Sequence, residues 1–232
     1  VPENTVRRLS FTILLGLLLS SCGGGGSGSS TPLPPPPPST SNLVRASASS
    51  SFAVGCNGRP QTGTNFTNAE VEPYVVVNPL NPSNIIGAWQ QDRWSNGGSQ
   101  GLAIGASFDG GRTWTVTSAA FSSCTGGNAG NGGDFERASD PWLAAAPDGT
   151  IYALSLSFSG ALLQPGSSSA MLVARSADGG MSWSLPATLI RDGDQFFNDK
   201  GSISADPNDA HFVYAVWDRL TTTSNGPAWF AR

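Results

Sequence analysis

Apolar residues in this chain fall into short runs, four to six residues long, set between polar or glycine-rich stretches. The runs Tyr74–Val77, Ile85–Trp89 and Gly101–Ala106 are of strand length and rich in β-forming side chains, as are Ile151–Leu156, Met171–Ala174 and Phe212–Trp217. The pattern predicts short β-strands joined by tight turns. The 29 Gly and 17 Pro in 232 residues point the same way, because both residues interrupt long helices and favour turns.

The runs belong to a repeat. Ser107–Trp114 reads SFDGGRTW and Ser176–Trp183 reads SADGGMSW, 69 residues apart, sharing S-x-D-G-G-x-[TS]-W. Glu72–Pro79, Asp140–Pro147 and Lys200–Pro207 align on their final Pro, and a Trp (Trp89, Trp217) follows ten residues after the first and third of these. Each unit reads as strand, NP-type turn, strand, loop, strand, DGG turn, strand. That is a four-stranded antiparallel blade, and blades stacked radially form a β-propeller. In the DGG turns, Gly110, Gly111, Gly179 and Gly180 supply the positive φ that a tight turn needs. Asp109 and Asp178 can accept turn N–H groups, and Ser107, Thr113, Ser176 and Ser182 add hydroxyls. Trp114 and Trp183 are expected at the blade base or between blades. These Asp residues therefore read as structural.

The octapeptide resembles the Asp-box, or BNR repeat, of sialidases and related propellers, and the wider pattern from about Ala69 to Arg232 is similar to bacterial exported proteins of that kind. The resemblance implies an all-β, sialidase-like propeller, six-bladed when complete. Two blades and most of a third are expected here. Ala228–Arg232 occupies the place that Met171–Arg175 holds before the second box, so a third box is expected from residue 233.

The N-terminal part carries a different signal. Arg7 and Arg8 precede nine apolar residues, Phe11–Leu19, too short for a permanent bilayer span, and the run closes with Leu19-Ser20-Ser21-Cys22. This resembles the lipobox of bacterial lipoproteins, with Cys22 as the lipidated residue; an ordinary secretion signal is the alternative. The following GGGGSGSSTPLPPPPPSTS has almost nothing to bury and reads as a flexible then stiff spacer. The expected organisation is a lipoprotein signal peptide at 1–22, a disordered Gly/Ser/Pro-rich tether at 23–51 and a partial propeller at 52–232. The protein is then an exported cell-envelope lipoprotein that touches the membrane through its lipid anchor only. Cys56 and Cys124 remain, and export makes a disulfide between them plausible, with two free thiols as the alternative.

Charged residues are only 12% and the formal net charge is −4, so no basic field exists to hold nucleic acid. A single His, His211, removes the Ser-His-Asp triad and His-rich zinc sites from consideration. Asp192-Gly193-Asp194 lacks the spaced ligands of an EF-hand loop, so calcium is unsupported there, and neither a metal nor a cofactor is expected. Strand alternation puts the loops after second strands, and those between blades, on one face. The family resemblance puts an active site there and implies a glycan or glycoconjugate partner. Sialidase chemistry needs arginines for a sugar carboxylate, a carboxyl acid/base and a Tyr nucleophile. Arg93, Arg137 and Arg219 are the candidate carboxylate binders. Asp140 and Asp92, with Glu136 and Asp199, are the candidate acid/base groups. Arg93 and Arg219 recur at matching repeat positions, which also suits structural pairing with Asp92 or Asp218. The Arg-Ile-Pro motif of sialidases is absent, and Tyr74, Tyr152 and Tyr214 fall within expected strands. The two readings are a sialidase-like glycoside hydrolase and a non-catalytic propeller that binds glycan or protein.

Overall fold

The computed structural model describes residues 43–232 apart from residue 224; the signal segment, Cys22 and most of the expected tether lie outside the described residues. The protein is all-β. In chain order the strands are β1 (Asn65–Asn78), β2 (Asn81–Trp94), β3 (Ser99–Ser107), β4 (Thr115–Thr117), β5 (Arg137–Ala145), β6 (Ile151–Ser159), β7 (Ser168–Ser176), β8 (Ala187–Asp192), β9 (Phe196–Ala205), β10 (Val213–Thr221) and β11 (Ala228–Ala231). Helix among the described residues amounts to one 3-10 turn, Ser123–Thr125.

Successive strands pair antiparallel as β1–β4, β5–β8 and β9–β11, giving units of four, four and three strands. A single residue pair, Ser99 with Ala138, links β3 to β5. No sheet closes on itself among the described residues.

Strand periodicity explains how the units stack. Side chains alternate between faces along a strand, so a sheet packed on both faces needs apolar residues at successive positions. The middle unit shows this in β6 and β7. Ile151, Ala153, Ala170, Leu172 and Ala174 join a core with Ile86, Leu102 and Ile104 of the first unit, closed by Phe121 and Phe135. Their neighbours Leu154, Leu156 and Met171 face the other way, into a core with Ile203, Ala215 and Trp217 of the third unit. The large side chains Leu154, Met171 and Leu172 are fully buried. Truncating any of these to Ala typically costs about 2–5 kcal/mol.

The DGG turns are alike in detail. Asp109 Oδ1 accepts the N–H groups of Arg112 and Thr113, each at 2.9 Å, and its Oδ2 accepts the Thr113 hydroxyl at 2.7 Å. Asp178 repeats the arrangement with Met181, Ser182 and the Ser182 hydroxyl. Ser107 and Ser176 donate to their Asp and accept the Gly111 and Gly180 N–H groups. All four glycines have positive φ, from 73° to 96°. Trp114 donates to Gly111 O within its own turn, whereas Trp183 donates to Thr117 Oγ1 of the first unit. The second turn is thus stitched to β4. Both carboxyls titrate at about 2, Asp109 chiefly through the Thr113 N–H and Asp178 chiefly through the Ser182 hydroxyl.

Ahead of β1 the chain has no regular element from Leu43 to Thr64. Within the stretch counted as tether, however, Ser50 is docked: its N–H donates to Asn68 Oδ1 at 2.7 Å and its hydroxyl to Asp92 Oδ2 at 2.5 Å. Cys56 and Cys124 form a disulfide that ties the approach to β1 to the 3-10 turn beyond β4.

Candidate functional site

A cleft of about 790 Å³ opens where the first strands of the three units come together. Its floor is built by one device used three times. In β1, β5 and β9 two residues face a single residue of the next strand, a β-bulge. Residues Glu72, Asp140 and Lys200 stand at the bulges with φ of 52°, 50° and 49°. The left-handed backbone is unfavourable for these side chains by roughly 1–2 kcal/mol each, so packing on both sides must hold it. The consequence is that three charged groups, one per unit, converge on the cleft.

Lys200 Nζ lies 3.2 Å from Asp140 Oδ2, and this carboxylate raises the lysine pKa. The Asp199 and Glu72 carboxyls are pushed above the ordinary carboxylate range, first by burial and then by the negative charge of Asp140. The cleft therefore holds an ion-paired carboxylate beside two carboxyls that retain a proton more readily than usual.

Three arginines line the same cleft: Arg59 on the rim, which pairs with Glu136 at 3.7 Å, and Arg93 and Arg137 further in. Arg93 Nη1 donates to Gln90 Oε1 at 3.0 Å and to Gly98 O at 2.9 Å. Arg137 is 6% exposed and donates to Gln61 Oε1, Asn96 Oδ1, Gly97 O and Thr62 O, with its guanidinium 4.7 Å above the Trp94 ring. Its pKa is lowered first by burial; the Glu136 charge opposes that shift and the weaker effect of the Arg93 charge adds to it. Every one of these acceptors is neutral. Neither Arg93 nor Arg137 has a carboxylate within ion-pair distance among the described residues.

Of the sequence candidates, Arg93, Arg137, Asp140, Glu136 and Asp199 line the cleft. Asp92 and Arg219 do not, which corrects their candidacy. Asp92 is fully buried and accepts from Ser50, the Asn68 N–H, Gln91 and Gln100, so it is a knot for the approach to β1. Arg219 grips Asp192 with two hydrogen bonds, at 2.9 and 2.7 Å, and lies between the rings of Phe196 and Trp229. That grip, with Asn198, also occupies Asp192, the first residue of the Asp-Gly-Asp loop. The pairing of Arg93 with Asp92 or Asp218 does not form. Tyr74 stacks on Trp142 with ring centroids 4.3 Å apart, and the Tyr214 hydroxyl donates to Asp206; none of the three tyrosines lines this cleft. His211 is exposed and contacts Asp209.

Sequence reasoning missed Glu72, Lys200 and the rim of Arg59, Gln61 and Thr62. The alignment of Glu72, Asp140 and Lys200 on the repeat was the signal that could have found the first two. The rim carried none, because the segment lacks strand pattern and its disulfide fixes its place.

No family model matches the chain, and no curated protein matches it. Among solved structures, a Hadza microbial sialidase superposes with a TM-score of 0.50 at 19% identity, covering 68% of this chain and 34% of the sialidase. A Trypanosoma rangeli sialidase (TM-score 0.42, 17% identity) covers 81% of this chain and 33% of its own, and a Dyadobacter fermentans protein of unknown function (0.44, 20%) covers 69% and 50%. The fold is sialidase-like. The chain spans about a third of the length of the Hadza sialidase it matches.

Proposed function

We propose that the chain is part of a surface-anchored glycoside hydrolase of the exo-α-sialidase type, acting on acidic sugars at glycan termini. The observation that carries this reading is the pair Arg93 and Arg137, side by side on one cleft and balanced by no carboxylate in contact. Two guanidiniums of this kind, Arg137 buried and Arg93 half-buried, favour an anionic ligand group, and a sugar carboxylate matches the planar fork of Arg93, whose Nε and Nη2 have no protein partner among the described residues. Asp199 or Glu72, with raised pKa, would hold a proton for the departing glycosidic oxygen. The stacked units would be blades of a propeller completed by further repeats, carried from the membrane by a lipid on Cys22 and the Gly/Pro-rich spacer.

A second reading, a non-catalytic propeller that binds glycan or protein, is favoured by the absence of any tyrosine lining the cleft among the described residues. The test is release of fluorophore from a 4-methylumbelliferyl sialoside by the full-length protein. The hydrolase reading expects turnover, and R93K is expected to raise KM roughly tenfold or more by removing the fork. No turnover, with retained binding of sialylated glycan, would establish the second reading instead.

A further inference from the structure

The cleft contains the same three-part arrangement twice. Gln90, fully buried in β2, accepts Arg93 Nη1 on its Oε1 at 3.0 Å and donates through Nε2 to Glu72 Oε2 at 2.5 Å. Gln61, on the segment before β1, accepts Arg137 Nε on its Oε1 at 2.8 Å and donates through Nε2 to Glu136 Oε2 at 2.9 Å. In each case an amide stands between a guanidinium and a carboxylate. The two sets come from different parts of the chain and share no residue. Without the amide, the arginine and glutamate would be free to close into a direct ion pair, the usual resting state of such groups at a half-buried site. A glutamine meets both partners at once because it carries an acceptor and a donor on one rigid plane, whereas a Glu or Lys there would neutralise one partner and repel the other.

We propose that Gln61 and Gln90 are positioning residues that hold Arg137 and Arg93 apart from Glu136 and Glu72, so that both guanidiniums keep their positive field for an anionic ligand. This rests on the reading of the cleft as an anion-recognising site. It adds that two neutral amides, outside the group of charged candidates, set how strongly the cleft discriminates charge. The disulfide supports one of them, because Cys56 anchors the segment that carries Gln61.

The test has two arms. In the full-length protein, Q61E is expected to raise KM for the sialoside about tenfold or more while kcat changes less than twofold, because a new carboxylate would neutralise Arg137 before substrate arrives; Q90E is expected to raise KM likewise, with kcat moving too because Gln90 also bonds Glu72. A fall in kcat and melting temperature with KM unchanged would overturn the proposal, since it would mark the amides as merely structural. KM unchanged in both variants would overturn the proposal. In the second arm, crystal structures of Q61A and Q90A are expected to show Arg137 with Glu136, and Arg93 with Glu72, closed to ion-pair distance. Pairs left apart would overturn it. Gln61 is on a partly exposed loop, so Q61A provides this readout even if Q90A fails to fold. Should the wild-type protein cleave no sialoside, the hydrolase reading falls while the crystallographic arm still decides the role of the two amides.

Discussion

The disulfide between Cys56 and Cys124 encloses a separation of 68 residues, and β1 to β4, the whole first unit, lie inside that loop. Replacing both cysteines by serine leaves the folded contacts of β1–β4 in place and releases the denatured chain from the loop constraint. For a loop of this length the chain-entropy relation gives a loss on the order of 4 kcal/mol. That is a large share of the roughly 5–15 kcal/mol by which a typical domain is stable. The assay is equilibrium urea unfolding of wild type and C56S/C124S, followed by tryptophan fluorescence. The expected result is a lower midpoint with an m value equal or slightly higher, since the uncrosslinked denatured chain exposes more surface. The loss should also reach the cleft, because the segment released carries Gln61 and Thr62, which hold Arg137. Limited proteolysis should therefore cut between residues 57 and 64 faster in the variant. A loss below about 1 kcal/mol, with no change in cleavage, would refute both the entropic argument and the idea that the bridge holds the rim.

Two further outcomes concern pH. Asp109 and Asp178 titrate at about 2 in the folded protein, below their usual values, so their contribution is fully present above pH 4 and is lost as pH falls toward 2. Urea midpoints of wild type and D178N should therefore differ at pH 5 and converge near pH 2; a constant difference would contradict the assignment. Asp199 is opposite in sign. Its pKa is raised, so carrying its charge weakens the fold above the ordinary carboxylate range, and D199N should gain stability at pH 7 but not at pH 3.5. Equal effects at both pH values, measured by thermal unfolding, would rule out burial as the cause.

The repeat made much of this fold legible. Short apolar runs located the centres of six strands, although β1 and β2 extend well beyond them: Asn65 pairs with Trp94 and Phe66 with Arg93, in stretches where apolar and polar residues mix without a run. The DGG turns were readable because their chemistry is local: one carboxylate, two glycines and two hydroxyls within eight residues. The cleft was less readable for the opposite reason. Arg93 and Arg219 occupy matching sequence positions, yet one faces the cleft and the other is taken by Asp192 and two aromatic rings. Their difference depends on Asp192 and Gln90, residues distant in sequence or silent in pattern. Gln61 acquires its partners from positions more than seventy residues away, through a segment fixed by a disulfide, which no local window can contain.

The three left-handed bulges at Glu72, Asp140 and Lys200 bear on how such a scaffold can be altered. The backbone kink recurs while the side chain differs in length and in sign, so the kink is maintained by strand pairing rather than by any property of the residue that occupies it. Each bulge behaves as a socket: a like mount, facing a common cleft, into which different chemical groups have been fitted. Exchanging occupants among the sockets changes the sum of charge over the cleft without asking the surrounding strands to find new partners. A repeat protein built this way can diversify its ligand preferences one unit at a time, by substitutions that the fold itself scarcely registers.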